Sequence, residues 1–195
     1  MRATADRTID LLRETGALLE GHFRLSSGRH SDRYCQCAKV LEHPAHAEEL
    51  GQGLAALFRS EGIDVVVAPA LGGVIIGHEV ARALGVRSIF AERLDGRMAL
   101  RRGFTLETGA RVLVIEDVVT TGGSVREVAE LVRREGAEVV GFGFILDRSG
   151  GTLDLGAPAR ALAEMPLESY EPERCPLCER GVEVTKPGSR PDERS

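Results

Sequence analysis

Four consecutive branched apolar residues, Val112-Leu113-Val114-Ile115, run directly into Glu116-Asp117, then Val118-Val119, then Thr120-Thr121-Gly122-Gly123-Ser124. A run that short and that rich in β-branching is a strand buried on both faces, the condition of a strand inside a parallel sheet. The acidic pair ends the strand, and the small hydroxylated residues beyond it are free to take positive φ. Val125, Val128, Ala129, Leu131 and Val132 then recur at helical spacing. The order is strand, loop, helix.

Such a loop turns backbone N–H groups and hydroxyls toward one point at a helix N-terminus, where the macrodipole also favours an anion. The guest is read as a phosphate. A dinucleotide fold places its ribose-binding acid about 20 residues after the loop, whereas Glu116 and Asp117 come just before it. One ligand must therefore carry phosphate and hydroxyls close together. A ribose 5-phosphate does so, its 2′ and 3′ hydroxyls donating to the carboxylates, which are also able to hold Mg²⁺ directly or through water. No Gly-Lys-Ser/Thr follows, which excludes a Walker loop. An ordinary strand with a glycine turn would need the apolar run, acidic pair, hydroxyl-glycine loop and amphipathic helix to coincide by chance. The stretch resembles the 5-phosphoribosyl-1-pyrophosphate (PRPP) motif of type I phosphoribosyltransferases, with residues 116–124 as the PRPP-binding set.

The same theme occurs earlier, where Val65-Val66-Val67-Ala68 runs into Pro69-Ala70-Leu71-Gly72-Gly73 and a helix from Val74 to Leu84. Ser88 to Glu92, Arg111 to Asp117 and Val139 to Asp147 add strands, so the fold class is α/β. The resemblance makes it a type I phosphoribosyltransferase fold, a parallel twisted sheet of about five strands flanked by helices. Ala161 to Met165 reads as an edge strand, and Pro44 to Gly62 as a helix. Residues 3 to 20 read as an amphipathic helix interrupted near Gly16. Phe23 to Ser27 and Arg33 to Leu41 read as short strands around a turn at 27–31. Residues 1–43 thus contribute a hood to a single domain over 1–165. The extension 166–195 carries Cys-x-x-Cys, and about its last eight residues read as disordered.

Composition narrows the setting. A chain of 195 residues, 43% apolar, suits one core, and its net charge of −5 argues against a nucleic-acid partner. There is no run of 18 apolar residues and the first 20 are highly charged, so no membrane association and a cytoplasmic location are expected, without disulfides.

Breaking the anomeric bond of a pyrophosphorylated sugar leaves positive character on the ribose and more negative charge on the leaving group, so catalysis is electrostatic and positional. Between the third and fourth strands, residues 93–104 carry Arg93, Arg97, Arg101 and Arg102 with two glycines and read as a mobile hairpin. Closed over the site, Arg97, Arg101 and Arg102 can cover the pyrophosphate and exclude water. With Arg93 and Asp117 they form the expected catalytic set, while Glu116 and Asp117 are the expected Mg²⁺ ligands, directly or through PRPP or water. The backbone from Ala70 through Leu71 and Gly72 to Gly73 can take the other side of the pyrophosphate.

A narrower resemblance covers about residues 10–165. Phe23-Arg24-Leu25-Ser26-Ser27-Gly28-Arg29-His30-Ser31 with Tyr34, the Pro69 loop, the PRPP motif and Ile145-Leu146-Asp147-Arg148-Ser149-Gly150 resemble the orotate phosphoribosyltransferase family. That resemblance implies reaction of orotate with PRPP to give orotidine 5′-monophosphate and pyrophosphate, in pyrimidine synthesis. It implies orotate binding by Thr120, Arg148, Tyr34 and Cys35, and a homodimer whose arginine loop reaches the neighbouring site. The planar fork of Arg148 suits a carboxylated or imide-bearing ring. Ser26, Gly72 and Leu94 stand where the common family pattern has lysine, and the hairpin offers arginines in place of the usual lysine and histidine. A phosphoribosyltransferase for another base, such as a purine or xanthine, and a non-catalytic PRPP-binding regulator are the alternative readings.

Cys175-Pro176-Leu177-Cys178 has the spacing of a zinc half-site, and Cys35-Gln36-Cys37 is a weaker pair. Four thiolates close one structural zinc site only if the fold brings the pairs together. His43 and His46 lack further ligands at suitable spacing and read as surface or capping residues.

Overall fold

The computed structural model describes residues 2–25, 27–166 and 168–187, with side chains from Ala5 onward. Ser26 and the tail expected to be disordered lie outside the described residues. Helix α1 (Arg2–Glu14) leads into a two-stranded antiparallel sheet, β1 (Leu18–Arg24) and β2 (His30–Cys35), followed by α2 (Ala38–Leu41) and α3 (Pro44–Phe58). Then come β3 (Val65–Pro69), α4 (Gly72–Leu84), β4 (Arg87–Leu94), β5 (Arg97–Leu100), β6 (Arg111–Val119), α5 (Gly123–Arg134), β7 (Glu138–Asp147) and β8 (Ala159–Glu164). A 3₁₀ turn at Pro172–Arg174 and a short α6 (Pro176–Glu179) complete the chain.

The main sheet has six strands in the order β5-β4-β3-β6-β7-β8, parallel except for the β4–β5 pair. Alternation along its central strands makes both faces apolar. Val66, Leu113 and Ile115 pack with Leu50, Leu54 and Ile76 in one core layer; Val65, Val67, Val112 and Val114 pack with Val125, Val128 and Val132 in the other. The edge strand β8 falls where the sequence puts one, and β5 is the strand not anticipated. Asp95 and Gly96, with φ of 49° and 80°, form the two-residue turn that joins β4 to β5, so the arginine-rich segment is a hairpin.

The amino-terminal boundaries shift. The expected helix to residue 20 stops at Glu14, because Gly16 takes φ of 66° and Leu18–Arg24 pairs with β2. The second hood strand runs from His30 to Cys35 rather than from Arg33 to Leu41. Residues 38–41 are helical instead, burying Val40 and Leu41 against the main core. Apolar periodicity was too short there to separate strand from helix.

Candidate active site

Adjacent parallel strands β3 and β6 send their crossover helices to opposite faces: α4 joins one core layer and α5 the other. Such a divergence opens a crevice at the carboxyl ends of the two strands. The two glycine loops meet there. A Cβ placed on Gly72 would lie 2.8 Å from Asp117 Oδ1, so the β3 loop passes directly against the β6 carboxylate. A side chain at Gly72 would have to displace the Asp117 carboxylate from this arrangement.

Strand β6 extends two residues beyond the acidic pair, to Val119, and α5 begins at Gly123, which leaves Thr120–Gly122 as the turn. Gly122 has φ of 77°, and a Cβ on it would meet Leu153 Cδ2 at 2.9 Å, so both backbone and packing demand glycine. Arg126 braces the turn by donating to the Thr121 carbonyl and, at 3.1 Å, to the Asp154 carbonyl. The first N–H groups of α5 have no intrahelical acceptors and point into the turn. An open cavity of about 320 Å³ lies above them, lined by Glu116, Val118–Val125, Arg93 and Glu127. This cavity is polar and accommodates an anion at a helix N-terminus.

The acids are unusual in their surroundings. Burial, then the charge of Asp117, pushes Glu116 up to about 9, and burial also raises Asp117, whose Oδ1 accepts the Val118 N–H at 2.8 Å. Among the described residues neither forms a salt bridge. Two neighbouring, half-buried carboxyl groups without a salt bridge among the described residues form a donor set that suits a divalent ion or the hydroxyls of a diol, either of which relieves their mutual repulsion.

The base-side residues approach from the other direction. Arg148 follows β7 and is 7% exposed; its Nη2 donates to the Arg33 carbonyl at 3.4 Å, and its buried Nε has no acceptor among the described residues. Burial lowers its pKa, so an anionic partner would be favoured there. Tyr34 packs against Phe23, ring centroids 5.9 Å apart, and Cys35 Sγ lies 3.8 Å from Cys37 Sγ. The Cys37 thiol is pushed up first by the hydrogen bond to Cys35 and by burial, with smaller contributions from the charges of Cys35 and Asp117.

The four arginines separate. Arg93 lines the cavity at the α5 N-terminus, held by Glu127 through bonds of 2.7 and 2.8 Å. Arg102 forms a two-bond fork on Glu92, both 2.9 Å, and lies 5.6 Å from the Phe90 ring centroid. Arg97, Arg101 and Arg102 are exposed and do not line the cavity. The four cysteines do not assemble: Cys175 and Cys178 lie with His22 and His30, and Cys35 and Cys37 stand outside that group. His43 is exposed and His46 half-buried, and their rings stack edge to face, 5.3 Å between centroids, consistent with surface roles.

Residues 37–170 match the phosphoribosyl transferase domain family. The chain is 57% identical over 187 residues to the orotate phosphoribosyltransferase of Pelotomaculum thermopropionicum, covering 96% of this chain and 98% of that one. It is 54% identical to that of Thermotoga maritima over 93% of this chain and 97% of the relative. The crystal structure of orotate phosphoribosyltransferase from Aeropyrum pernix superposes with a TM-score of 0.67 at 25% identity, covering 80% of this chain and 92% of that one. With the crevice at β3 and β6 and the full-length likeness to these relatives, the chain belongs to the orotate phosphoribosyltransferase family of phosphoribosyltransferases.

Proposed function

We propose that this chain transfers the 5-phosphoribosyl group of PRPP to orotate, giving orotidine 5′-monophosphate and pyrophosphate. The observation that carries the reading is the occurrence, at the carboxyl ends of β3, β6 and β7, of a glycine turn at a helix N-terminus, two half-buried acids without a salt bridge among the described residues, and a buried arginine with an unsatisfied N–H. The α5 N-terminus, with Thr120, Thr121 and Ser124, holds the 5-phosphate. Glu116 and Asp117 accept from the ribose hydroxyls, and the backbone at 70–73 takes the pyrophosphate. The Arg148 fork pairs with the orotate carboxylate or imide edge, beside Thr120 and the Tyr34–Cys35 backbone. Positive charge developing at the anomeric carbon is stabilised by the adjacent Asp117 carboxylate as the bond to pyrophosphate breaks and the bond to the ring nitrogen forms.

The acidic pair would hold Mg²⁺, which supplies charge neutralisation to the pyrophosphate when bound. Arg93 contributes its charge at the phosphate cavity. Arg97, Arg101 and Arg102, exposed and absent from the cavity lining, are assigned to the site of a second subunit in a homodimer. Leu71, Ile75 and Leu94, 87, 48 and 48% exposed near the crevice, supply apolar surface for that pairing. Among the described residues no helix is long and apolar enough to cross a membrane, and the reading places the enzyme in the cytoplasm without a nucleic-acid partner.

Pyrophosphate release measured with Mg²⁺, PRPP and either orotate, uracil, adenine or xanthine tests the assignment. Release with orotate alone is expected. Release with another base assigns the site to that base, and none with any base reduces the chain to a PRPP-binding protein.

A further inference from the structure

His22 is in β1 and His30 begins β2, while Cys175 immediately precedes α6 and Cys178 lies within it, more than 140 residues later. The fold nevertheless brings one potential ligand atom from each within 4.8 Å of all the others. His22 Nε2 lies 2.9 Å from His30 Nδ1, 3.5 Å from Cys175 Sγ and 3.7 Å from Cys178 Sγ, and Cys178 Sγ lies 3.3 Å from His30 Nδ1. A tetrahedral zinc ion, with Zn–N about 2.0 Å and Zn–S about 2.3 Å, sets N···N edges of about 3.3 Å and N···S edges of about 3.6 Å. The four edges quoted agree within about half an ångström, and the other two lie within 4.8 Å.

The tautomer is also fixed. His22 Nδ1 lies 2.7 Å from the Val182 carbonyl, which only accepts, so Nδ1 carries the hydrogen and Nε2 presents its lone pair to the cluster. An outer carbonyl that orients a ligating histidine is the usual support of a zinc site. Without an ion, that single lone pair would face His30 and two thiols at once. With one, all four atoms direct their electrons to a common centre.

We propose that His22, His30, Cys175 and Cys178 bind one zinc ion as a structural site. Binding converts two thiols to thiolates and releases their two protons to solvent, so the ion and its ligands are together neutral, which suits a cluster with three of its four residues buried. The exposed side of Cys178 provides the entry path. Four protein ligands leave no open position, so the ion has a structural rather than hydrolytic role.

The ion would tie the carboxyl-terminal segment to both hood strands. That segment already bonds to them through Arg24 N–H to Thr185 O, Thr185 N–H to His22 O, and the reciprocal His30–Tyr170 pair, all 2.8 Å. His30 shares β2 with Tyr34 and Cys35, so the clip sits on the strand assigned above to the base.

Metal content of the full chain, purified under reducing conditions without chelator, tests this independently of the reaction. One zinc per chain is expected, falling to a small fraction in Cys178→Ser and in His30→Ala and unchanged in Cys37→Ser. Titration of the chelator-stripped full chain with Co²⁺ should give thiolate charge-transfer and tetrahedral ligand-field bands that saturate at one equivalent, a readout that needs no variant. Absence of those bands, sub-stoichiometric zinc after dialysis against Zn²⁺, or unit zinc retained in a Cys175→Ser/Cys178→Ser double variant would overturn the proposal.

Discussion

The acceptor end of β6 and the hood across the crevice are built by opposite means. Glu116 and Asp117 are set by a strand whose preceding residues, Val112–Ile115, are fully buried between two core layers. Their placement is local: nine strand residues, a three-residue turn and one helix. The hood strands bury little, chiefly Leu18, His22, Phe23, His30 and Ser31. They are held instead by polar bonds to the far end of the chain, including Ser31 Oγ to the Glu168 carbonyl at 2.8 Å and Arg29 Nε to Ser169 Oγ at 2.9 Å. One half of the crevice is fixed by dense apolar packing and the other by a few long-range contacts. Rigidity therefore belongs to the ribose phosphate half, and the half assigned to the base is the one whose stability can vary separately.

The strongest way to break this contrast is at the rigid half. Asp117→Asn keeps the shape but removes the charge beside the reacting carbon, and kcat/KM should fall by about 10²- to 10³-fold while the circular dichroism spectrum stays native. Unchanged turnover would remove Asp117 from the reaction. Arg148→Ala probes the opposite wall. Losing a charged hydrogen-bond donor worth about 1.5–3 kcal/mol should raise the KM for orotate by roughly 10- to 100-fold, with the KM for PRPP changed by less than about 3-fold. Equal effects on both substrates would show that the two halves do not act separately.

A smaller effect tests the turn between them. In Gly122→Ala the residue must keep a positive φ and push against Leu153. A loss of about 1–3 kcal/mol in unfolding free energy, with a higher KM for PRPP, is expected from denaturant melts and steady-state kinetics.

Legibility in the sequence divides along the same line. The strand-turn-helix of the PRPP motif is contiguous, so residue order alone carries its geometry, and Val125 to Val132 and Gly122 fall where periodicity and turn chemistry put them. The extent of β6 past Asp117 escaped, since Val118 and Val119 are as compatible with a loop entrance as with a strand. In the hood the information is non-local. His22 and His30 gain meaning only once Arg24 pairs with His30 and Tyr170 bridges back to that strand. The spacing of Cys175 and Cys178 marked half of a ligand set, and no rule of spacing points from it to two histidines over 140 residues away. A His-x₇-His pattern across a suspected hairpin was the available signal. Hairpin register decides whether such a pair shares a face, and that register is set by contacts the sequence does not order in line.

The last prediction concerns the acidic pair itself, because burial there has a cost that the hood does not share. Glu116 titrates at about 9 in the folded chain against an ordinary 4.5, so between those values the folded protein holds a proton that the unfolded chain has released. Stability must then decline as pH rises through that window, by at most about 1.4 kcal/mol per pH unit from this group, and the contribution is complete only below the unfolded value. Urea melts of the ligand-free protein from pH 5 to 9 should show the decline, and Glu116→Gln, which cannot ionise, should flatten it. Saturating Mg²⁺ and PRPP should flatten it too, since the ligands that occupy the carboxylates displace the shared proton, and calorimetry in buffers of different ionisation enthalpy should register its release. A pH profile identical in Glu116→Gln and the parent chain would mean that the strain lies elsewhere in the crevice, and the contrast between a tightly packed anionic wall and a loosely pinned hood would lose its energetic basis.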